Sequence, residues 1–389
     1  MERSEALKPT MACSRCGERY TLQARVWRCV CGGALDLRLP GSRLVLGEIQ
    51  RRPPDLWRYR EALPPLETPV SLGESMTPFV PFQHRRRTVW LKCDYQLPTG
   101  SYKDRGAAVL MSHLKALGIR RAVEDSSGNA AASLAAYAAR AEIELTVFCP
   151  ASASPGKLAQ IALYGAKLRL IPGPRQCATE ALERHLAATP DFYASHLWHP
   201  YFLEGIKTMA FEIAEQNGWR APAAVVCPVG AGSILLGLYH GFAELQRAGV
   251  IEQVPRLFAV QAANICPVYR AFERQEADVA PMAAVQATLA EGIALPRPVR
   301  GPLVLRALRE THGGATTVSE GEIREGLAVL GRGGICVEPT SAVVVKALEH
   351  LEDAGIIQPS EQTVLVLSGF GLKATAVLQE LAMSEPRGV

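Results

Sequence analysis

The sequence predicts an α/β protein in which parallel sheets are covered by helices on both faces. Short apolar runs rich in β-branched residues alternate along the chain with Ala-rich stretches, and such alternation of strands and helices is typical of parallel sheets. The chain has 389 residues, of which 48% are hydrophobic and 21% charged. It can therefore bury a sizeable core, which excludes a disordered protein. At about 150 residues per domain, the length suggests about two or three domains.

The individual elements follow from local sequence pattern. In the first predicted helix, 106–117, Leu110, Leu114 and Leu117 share one helical face. The further predicted helices are 130–140, 155–164, 203–216, 233–246, 322–330, 340–354 and 372–382. The predicted strands, each a short apolar run, are 145–148, 168–171, 224–229, 257–260 and 364–367.

The net charge and the hydropathy of the chain indicate which classes of partner to expect. Lys and Arg number 42 and Asp and Glu number 38, which leaves a net charge of +4. So small a surplus gives no reason to expect nucleic acid. No apolar run approaches the ~18 residues that a membrane span needs, and the first residues lack the apolar core of a signal peptide. We therefore expect a cytoplasmic protein that binds neither nucleic acid nor membrane.

A small Cys-rich head is predicted at 1–40, followed by an extended, Pro-rich linker at 41–68. The head has a Cys-x2-Cys pair and a Cys-x-Cys pair, formed by Cys13, Cys16, Cys29 and Cys31. Four thiolates suit a tetrahedral structural zinc. The second pair is closer in sequence than the usual spacing, so a zinc ribbon and four packed free thiols both remain open.

A turn at 98–102 leads directly into the Ala-rich helix at Lys103. A lysine at a helix N-terminus, where the helix dipole disfavours its positive charge, can act as an amine nucleophile toward aldehydes. The alternative is an ordinary solvated loop lysine.

Three other turns present small polar groups. Residues 126–129 place hydroxyls, a glycine and an amide at a helix start, which predicts either an anion cradle or a plain N-cap. Residues 230–233 form a Gly-rich turn after a strand, suited to a phosphate or to tight packing. Ser368 follows the last predicted strand, at the sheet edge where open α/β sheets bind ligands.

Seven short sequence motifs, in order along the chain, resemble those of a known family. They are GESMTPF at 73–79, PTGSYKDRG at 98–106, SSGNAAASLAAYAARA at 126–141, LEGIKTMAFEI at 203–213, PVGAGS at 228–233, VEPTSA at 337–342 and LSGFGLK at 367–373. Together they resemble the threonine synthase branch of the fold-type-II pyridoxal-phosphate (PLP) enzymes, over about 72–381. Similar Cys-rich heads occur in some relatives.

The resemblance implies two three-layer αβα domains with parallel sheets. We expect a large PLP-binding domain at 69–105 and 191–383, and a smaller mobile domain at 106–190 that carries the SSGN loop. We also expect a homodimer.

The resemblance also implies a role for each matching residue. Lys103 would bind PLP covalently and shuttle the α-proton of the substrate. Asn129 would hydrogen-bond the phenolic oxygen of the cofactor. Ser368, where the branch usually has Thr, would contact the pyridine nitrogen. The substrate carboxylate would be held by Ser126, Ser127 and Gly128, and the cofactor phosphate by Gly230, Ala231, Gly232 and Ser233.

The chain departs from the branch where a phosphorylated substrate would bind. Where the branch commonly has Thr, this chain has Ala130. The Asn-Ser pair of the branch is replaced by His196-Leu197, and its Arg by Phe202. Polar contacts to phosphate are thereby replaced, mostly by apolar groups. We expect His199 and Tyr201 to line the same pocket.

Three functions therefore remain open. The first is a PLP-dependent lyase or β/γ-replacement enzyme whose substrate is a small, less anionic L-amino acid. The second is an authentic threonine synthase, which converts O-phosphohomoserine and water to threonine and phosphate. The third is a PLP-binding protein without turnover, against which the intact Lys103 and SSGN words argue.

Overall fold

The structure, a computed structural model, describes residues 8–40, 44–153, 155–283 and 286–384. The first seven residues of the predicted head and residues 41–43 of the predicted linker lie outside this range. The strands are β1 (Thr10–Cys13), β2 (Arg19–Thr21), β3 (Leu35–Arg38), β4 (Phe79–His84), β5 (Arg87–Cys93), β6 (Arg121–Glu124), β7 (Glu144–Pro150), β8 (Lys167–Ile171), β9 (Phe192–Tyr193), β10 (Ala224–Pro228), β11 (Arg256–Ala262), β12 (Gly314–Val318) and β13 (Thr363–Leu367).

The helices are α1 (Leu46–Gln50), α2 (Lys103–Ala116), α3 (Asn129–Ala141), α4 (Pro155–Leu163), α5 (Arg175–Ala188), α6 (Pro200–Ile206), α7 (Thr208–Gln216), α8 (Ser233–Arg247), α9 (Pro267–Glu273), α10 (Gly301–Glu310), α11 (Glu320–Arg332), α12 (Pro339–Asp353) and α13 (Thr375–Ser384). Short 3-10 helices lie at Leu56–Ala62, Asp94–Gln96, Glu291–Ile293 and Gly371–Ala374. No described helix is both long enough and apolar enough to cross a membrane.

The described residues form two compact units. The first unit holds the residues up to Met76 together with Lys103–Thr208, and the second holds Thr77–Tyr102 together with the residues from Met209 onwards. The first unit contains an antiparallel sheet of order β2-β1-β3 and a parallel sheet of order β8-β7-β6-β9. The predicted α/β class with parallel sheets is confirmed.

The second unit is built on a six-stranded sheet of order β12-β11-β10-β13-β5-β4. Its strands are parallel except for β4, which pairs antiparallel with β5 at one edge. The central strands β10 and β13 are buried along their whole length, as expected for a sheet covered on both faces. Helix α12 contributes Val343, Val344 and Leu348 to the same core. Each such side chain stabilises the fold by about 1.5–3 kcal/mol through burial.

A buried ion pair links the sheet of the second unit to α7. Lys92 on β5 and Glu212 on α7 are both fully buried, with 2.6 Å between Lys92 Nζ and Glu212 Oε2. Lys92 Nζ also donates to the Thr77 carbonyl oxygen at 2.9 Å and to Gln216 Oε1 at 2.8 Å. The sequence pattern gives no sign of this pair, because Lys92 lies inside an apolar strand.

We predict that Lys92→Met lowers the free energy of unfolding by about 3–5 kcal/mol, because it removes the charge of one member of a fully buried ion pair. The double variant Lys92→Met/Glu212→Met should recover most of that loss. Urea unfolding of both variants measures the difference. A loss below about 0.5 kcal/mol in the single variant, the size typical of a surface substitution, would contradict the prediction.

The segment 44–68 differs from the extended linker that its prolines suggested. It contains α1 and the 3-10 helix Leu56–Ala62. Ile49, Leu56 and Tyr59 are at most 1% exposed. The burial of these apolar side chains accounts for the folded conformation.

The predicted helix 203–216 is two helices, α6 and α7, separated at Lys207. The predicted helix 372–382 is also divided. Its first residues belong to the 3-10 helix Gly371–Ala374, which precedes α13. Periodicity alone does not reveal such breaks, because both halves keep apolar residues on one face.

Candidate active site

Lys103 is the first residue of α2, immediately after the turn that the sequence singled out. Within that turn, Gly100 has a φ of +80°. A Cβ at this glycine would lie 3.0 Å from Lys373 Cε and 3.3 Å from Phe370 Cβ. Both the left-handed backbone and the lack of space therefore require glycine. The turn leads directly into α2, whose first residue is Lys103.

Close packing of α2 against α6 places Phe202 beside Lys103. A Cβ at Gly106 would lie 2.6 Å from Phe202 Cδ1, and one at Gly205 would lie 1.9 Å from the Arg105 carbonyl oxygen. These glycines let the two helices approach each other. The Phe202 ring is 1% exposed, and Lys103 Nζ lies 5.8 Å from its centroid. Phe202, which we expect to stand where the branch has an arginine, thus packs next to the lysine.

The SSGN segment connects β6 to α3. Gly128 is the N-cap of α3 and no side-chain hydrogen bond caps this helix. The Gly128 N–H donates to Ser126 Oγ at 3.3 Å, while Ser127, Gly128 and Asn129 are half-buried. The first turn of a helix carries backbone N–H groups without intrahelical acceptors, and its dipole favours negative charge. The segment is therefore suited to hold a carboxylate.

Most of the predicted wall residues are buried, whereas Leu197 is half-buried. Ala130 is 2% exposed, in the first turn of α3. His199 is also 2% exposed and caps α6, because its Nδ1 accepts from the Tyr201 N–H at 3.4 Å. Tyr201 stacks on His113 with 3.6 Å between ring centroids. His199 therefore caps α6, and Tyr201 packs against His113.

Ionisable side chains absent from the sequence-based site lie at the end of β6. The distance from His196 Nδ1 to Glu124 Oε1 is 2.5 Å. Asp125 accepts from the Tyr193 hydroxyl at 2.7 Å and from the Thr179 hydroxyl at 2.6 Å. Burial, reinforced by the charge of Asp125, raises the pKa of Glu124 well above its usual range. Burial also lowers the pKa of His196, so the imidazole is neutral near pH 7.

The Gly-rich turn of the second unit fits a phosphate. It joins β10 to the 15-residue helix α8, and its Gly232 has a φ of +89°. A Cβ at Gly232 would lie 2.2 Å from Val304 Cγ2, and one at Gly230 would lie 3.0 Å from Ile293 Cα. Bare backbone at the N-terminus of a long helix is an anion site. The turn ends at Ser233, whose Oγ lies 2.9 Å from the Tyr102 hydroxyl.

Ser368 lies at the same edge of the six-stranded sheet. It follows β13, which runs parallel to β10 on one side and to β5 on the other. Its side chain is 1% exposed, and its Oγ lies 3.2 Å from Ser341 Oγ. The Ser368 carbonyl oxygen accepts from the Tyr102 N–H at 3.0 Å. The sheet therefore brings together the phosphate turn, Ser368 and the segment that ends just before Lys103.

The four head cysteines converge as predicted. Their Sγ atoms all lie within 4.8 Å of one another, with Cys13 Sγ 3.5 Å from Cys31 Sγ and Cys16 Sγ 3.6 Å from Cys29 Sγ. Four sulfurs at about 2.3 Å from a zinc ion stand roughly 3.8 Å apart, so this donor set fits a tetrahedral metal. A hydrogen bond from Tyr20 lowers the pKa of Cys29 to about 6, whereas hydrogen bonds with the neighbouring thiols raise the pKa of Cys16. Cys29 is therefore the more readily deprotonated of these two thiols, and the thiolate is the form that binds a metal.

The head is packed within the first unit through Trp27. Its ring meets Tyr193 edge-on with 4.9 Å between centroids, and Trp198 at 5.8 Å. Tyr193 in turn donates to Asp125, the residue before the SSGN segment. A chain of contacts thus runs from the head to the candidate carboxylate site.

Comparisons with known proteins agree with this geometry. The chain is 34% identical over 374 residues to the threonine synthase of Methanocaldococcus jannaschii, and the match covers 93% of this chain and 92% of that protein. It is 32% identical over 323 residues to a Mycobacterium tuberculosis threonine synthase, covering 81% and 87%.

Solved structures share the fold. The threonine deaminase from T.th. has a TM-score of 0.62 at 26% identity, and the match covers 76% of this chain and 92% of that one. The L-serine ammonia-lyase from Rhizomucor miehei has a TM-score of 0.69 at 20% identity, covering 82% and 99%. The family described as "Pyridoxal-phosphate dependent enzyme" matches residues 70–369. The chain therefore belongs to the family of pyridoxal-phosphate dependent enzymes.

Proposed function

We propose that the chain is a PLP-dependent lyase or β/γ-replacement enzyme that acts on a small L-amino acid whose leaving group is not phosphate. The observation that carries this proposal is the buried ring of Phe202, 5.8 Å from Lys103 Nζ. An apolar ring cannot hold a phosphate dianion, and a buried anion without partners is strongly disfavoured.

When bound, PLP supplies an electron-withdrawing ring that stabilises negative charge at the substrate α-carbon. The residues of this chain hold and orient the reactants. The Lys103 amine would bind the cofactor covalently and would take and return the α-proton. Asn129 would donate to the phenolic oxygen, and the hydroxyl of Ser368 would contact the pyridine nitrogen.

The anionic groups have their own sites in this proposal. The turn Gly230, Ala231, Gly232 and Ser233 binds the cofactor phosphate through backbone N–H groups. The segment Ser126, Ser127 and Gly128 binds the substrate carboxylate at the N-terminus of α3.

An authentic threonine synthase is the second candidate, because relatives with that name match almost the whole chain. A turnover screen separates the candidates. The PLP-loaded protein is given L-serine, L-threonine, their O-acetyl derivatives, larger side-chain amino acids and O-phosphohomoserine, and ammonia, 2-oxo acids, amino-acid products and phosphate are measured. Turnover of a substrate without phosphate supports the proposal. Efficient threonine formation from O-phosphohomoserine supports the second candidate, and no turnover at all leaves a PLP-binding protein.

We also propose that the four head cysteines hold one structural zinc ion. Four protein ligands leave no open position for catalysis. Changing Cys13 and Cys16 to Ser should release about one metal ion per chain, while PLP binding largely survives because no proposed cofactor ligand lies in the head. Elemental analysis of protein made under reducing, zinc-replete conditions gives the stoichiometry. Cys177→Ser, which alters a cysteine outside the head, is the control. Zinc-free wild-type protein would refute the proposal.

A further inference from the structure

The polar cluster at the end of β6 is not used by the proposed mechanism. We define it as Glu124, Asp125, Arg175 and His196. Glu124 is fully buried, Asp125 is 2% exposed and His196 is 8% exposed. These residues come from three distant parts of the chain, and they meet within the first unit.

Two charged groups of the cluster have polar atoms that the surrounding structure does not satisfy. Glu124 Oε2 and Arg175 Nη2 are buried, and neither has a hydrogen-bond partner among the residues that the structure describes. Buried polar atoms in native proteins are nearly always paired, and an unpaired guanidinium nitrogen is especially costly. A bound ligand would supply hydrogen-bond partners for these two atoms.

The cluster borders the candidate carboxylate site. Arg175 begins α5, and Thr179 stands one turn later on the same helix face. The Thr179 hydroxyl donates to Asp125 at 2.6 Å, and Asp125 directly precedes Ser126. Arg175 is thereby held on the side of α5 that faces the start of the SSGN segment.

The cluster also borders Lys103. The His196 ring centroid lies 6.0 Å from that of Phe202, and the Phe202 ring lies 5.8 Å from Lys103 Nζ. The positive charges of Lys103 and Arg175 both contribute to lowering the pKa of His196, after burial. Both cations therefore lie close enough to His196 to act on its charge.

We propose that Arg175 binds a carboxylate at the far end of the substrate side chain. The proposal rests on the proposed function, since it assigns the substrate class of that same site. The planar guanidinium matches a carboxylate in a two-bond arrangement, and the N-terminus of α5 adds a favourable dipole. The neighbouring Asp125 carboxylate disfavours a phosphate dianion by like-charge repulsion. A carboxylate carries a single negative charge and suits the single arginine.

Ligand binding tests this subsite independently of turnover. The PLP-loaded protein is titrated by calorimetry with L-aspartate and L-glutamate, and with their amides L-asparagine and L-glutamine. We expect at least one acid to bind about tenfold more tightly than its amide, which corresponds to one lost charge-assisted contact. In Arg175→Met this ratio should fall to about one, and Arg175→Lys should keep part of it. Arg184→Met, an exposed arginine on the same helix, should leave the ratio unchanged.

The outcomes separate this inference from the proposed function. Equal binding of acids and amides, or a ratio that survives Arg175→Met, overturns the carboxylate subsite and leaves the proposed function standing. Tighter binding of O-phosphohomoserine that depends on Arg175 overturns it in favour of phosphate. Failure of the wild-type protein to take up PLP overturns the proposed function and this inference together. The visible absorption of bound PLP shows whether each variant is folded and loaded.

Discussion

Lys103→Ala is expected to abolish the visible absorption of bound PLP and to lower kcat/KM for any substrate by at least about a thousandfold. The lysine amine is the proposed covalent attachment point and the proposed proton carrier, and positioned acid–base groups alone contribute about 10²–10⁴ in rate. Absorption spectra and steady-state kinetics of the purified variant measure both effects.

Lys115→Ala is the matched control. Lys115 lies on the same helix but is exposed to solvent, so its loss should change neither the spectrum nor the rate. A Lys103→Ala variant that keeps both the visible band and its activity would contradict the assignment of Lys103.

O-phosphohomoserine is expected to react at least a few hundredfold more slowly, in kcat/KM, than with an ordinary threonine synthase. Hydrogen bonds to charged groups contribute about 1.5–3 kcal/mol each, and every ~1.4 kcal/mol is a factor of ten. At Ala130, Leu197 and Phe202 this chain has no such donor. The loss of two such contacts already accounts for the expected ratio.

The Methanocaldococcus jannaschii threonine synthase, assayed alongside, supplies the reference rate. Comparable kcat/KM values for the two proteins would defeat this prediction and restore the threonine synthase function. Ala130→Thr, which introduces the hydroxyl expected in the branch, should raise the rate with O-phosphohomoserine.

Local sequence words were sufficient to predict the class of the fold. Buried strands such as β10 and β13 are short apolar runs followed within two residues by glycine or serine, and both features can be recognised in the sequence alone. The convergence of the four cysteines was predictable for the same reason, since each pair is close in sequence and its turn needs glycine. Gly17 and Gly32 do have positive φ values, of +78° and +80°.

The polar cluster could not be predicted in this way. Glu124, Arg175 and His196 are separated by tens of residues, and only the packing of α5 and the segment after β9 onto β6 brings them together. Glu124 and Arg175 look ordinary in their own sequence context, and His196 was noted only as a departure from the branch. Arg175 gives one weak signal, as a basic residue at a helix N-terminus, where the dipole disfavours it.

The buried pair Lys92–Glu212 escaped prediction for a related reason. A lysine inside a strand and a glutamate inside a helix each read as solvent-facing positions. Their burial depends on the mutual pairing, which only the assembled second unit provides.

In the segment 44–68, prolines suggested an extended chain, but the apolar side chains between them determine its conformation.

The location of bound PLP is the most direct test of the role proposed for Lys103. The PLP-loaded protein is treated with sodium borohydride, which fixes the pyridoxyl group to the amine that holds it, and the digested peptides are analysed by mass spectrometry. The account predicts one modification per chain, on the peptide that contains Lys103. Modification of a different lysine, or none in protein that was offered PLP, would contradict it.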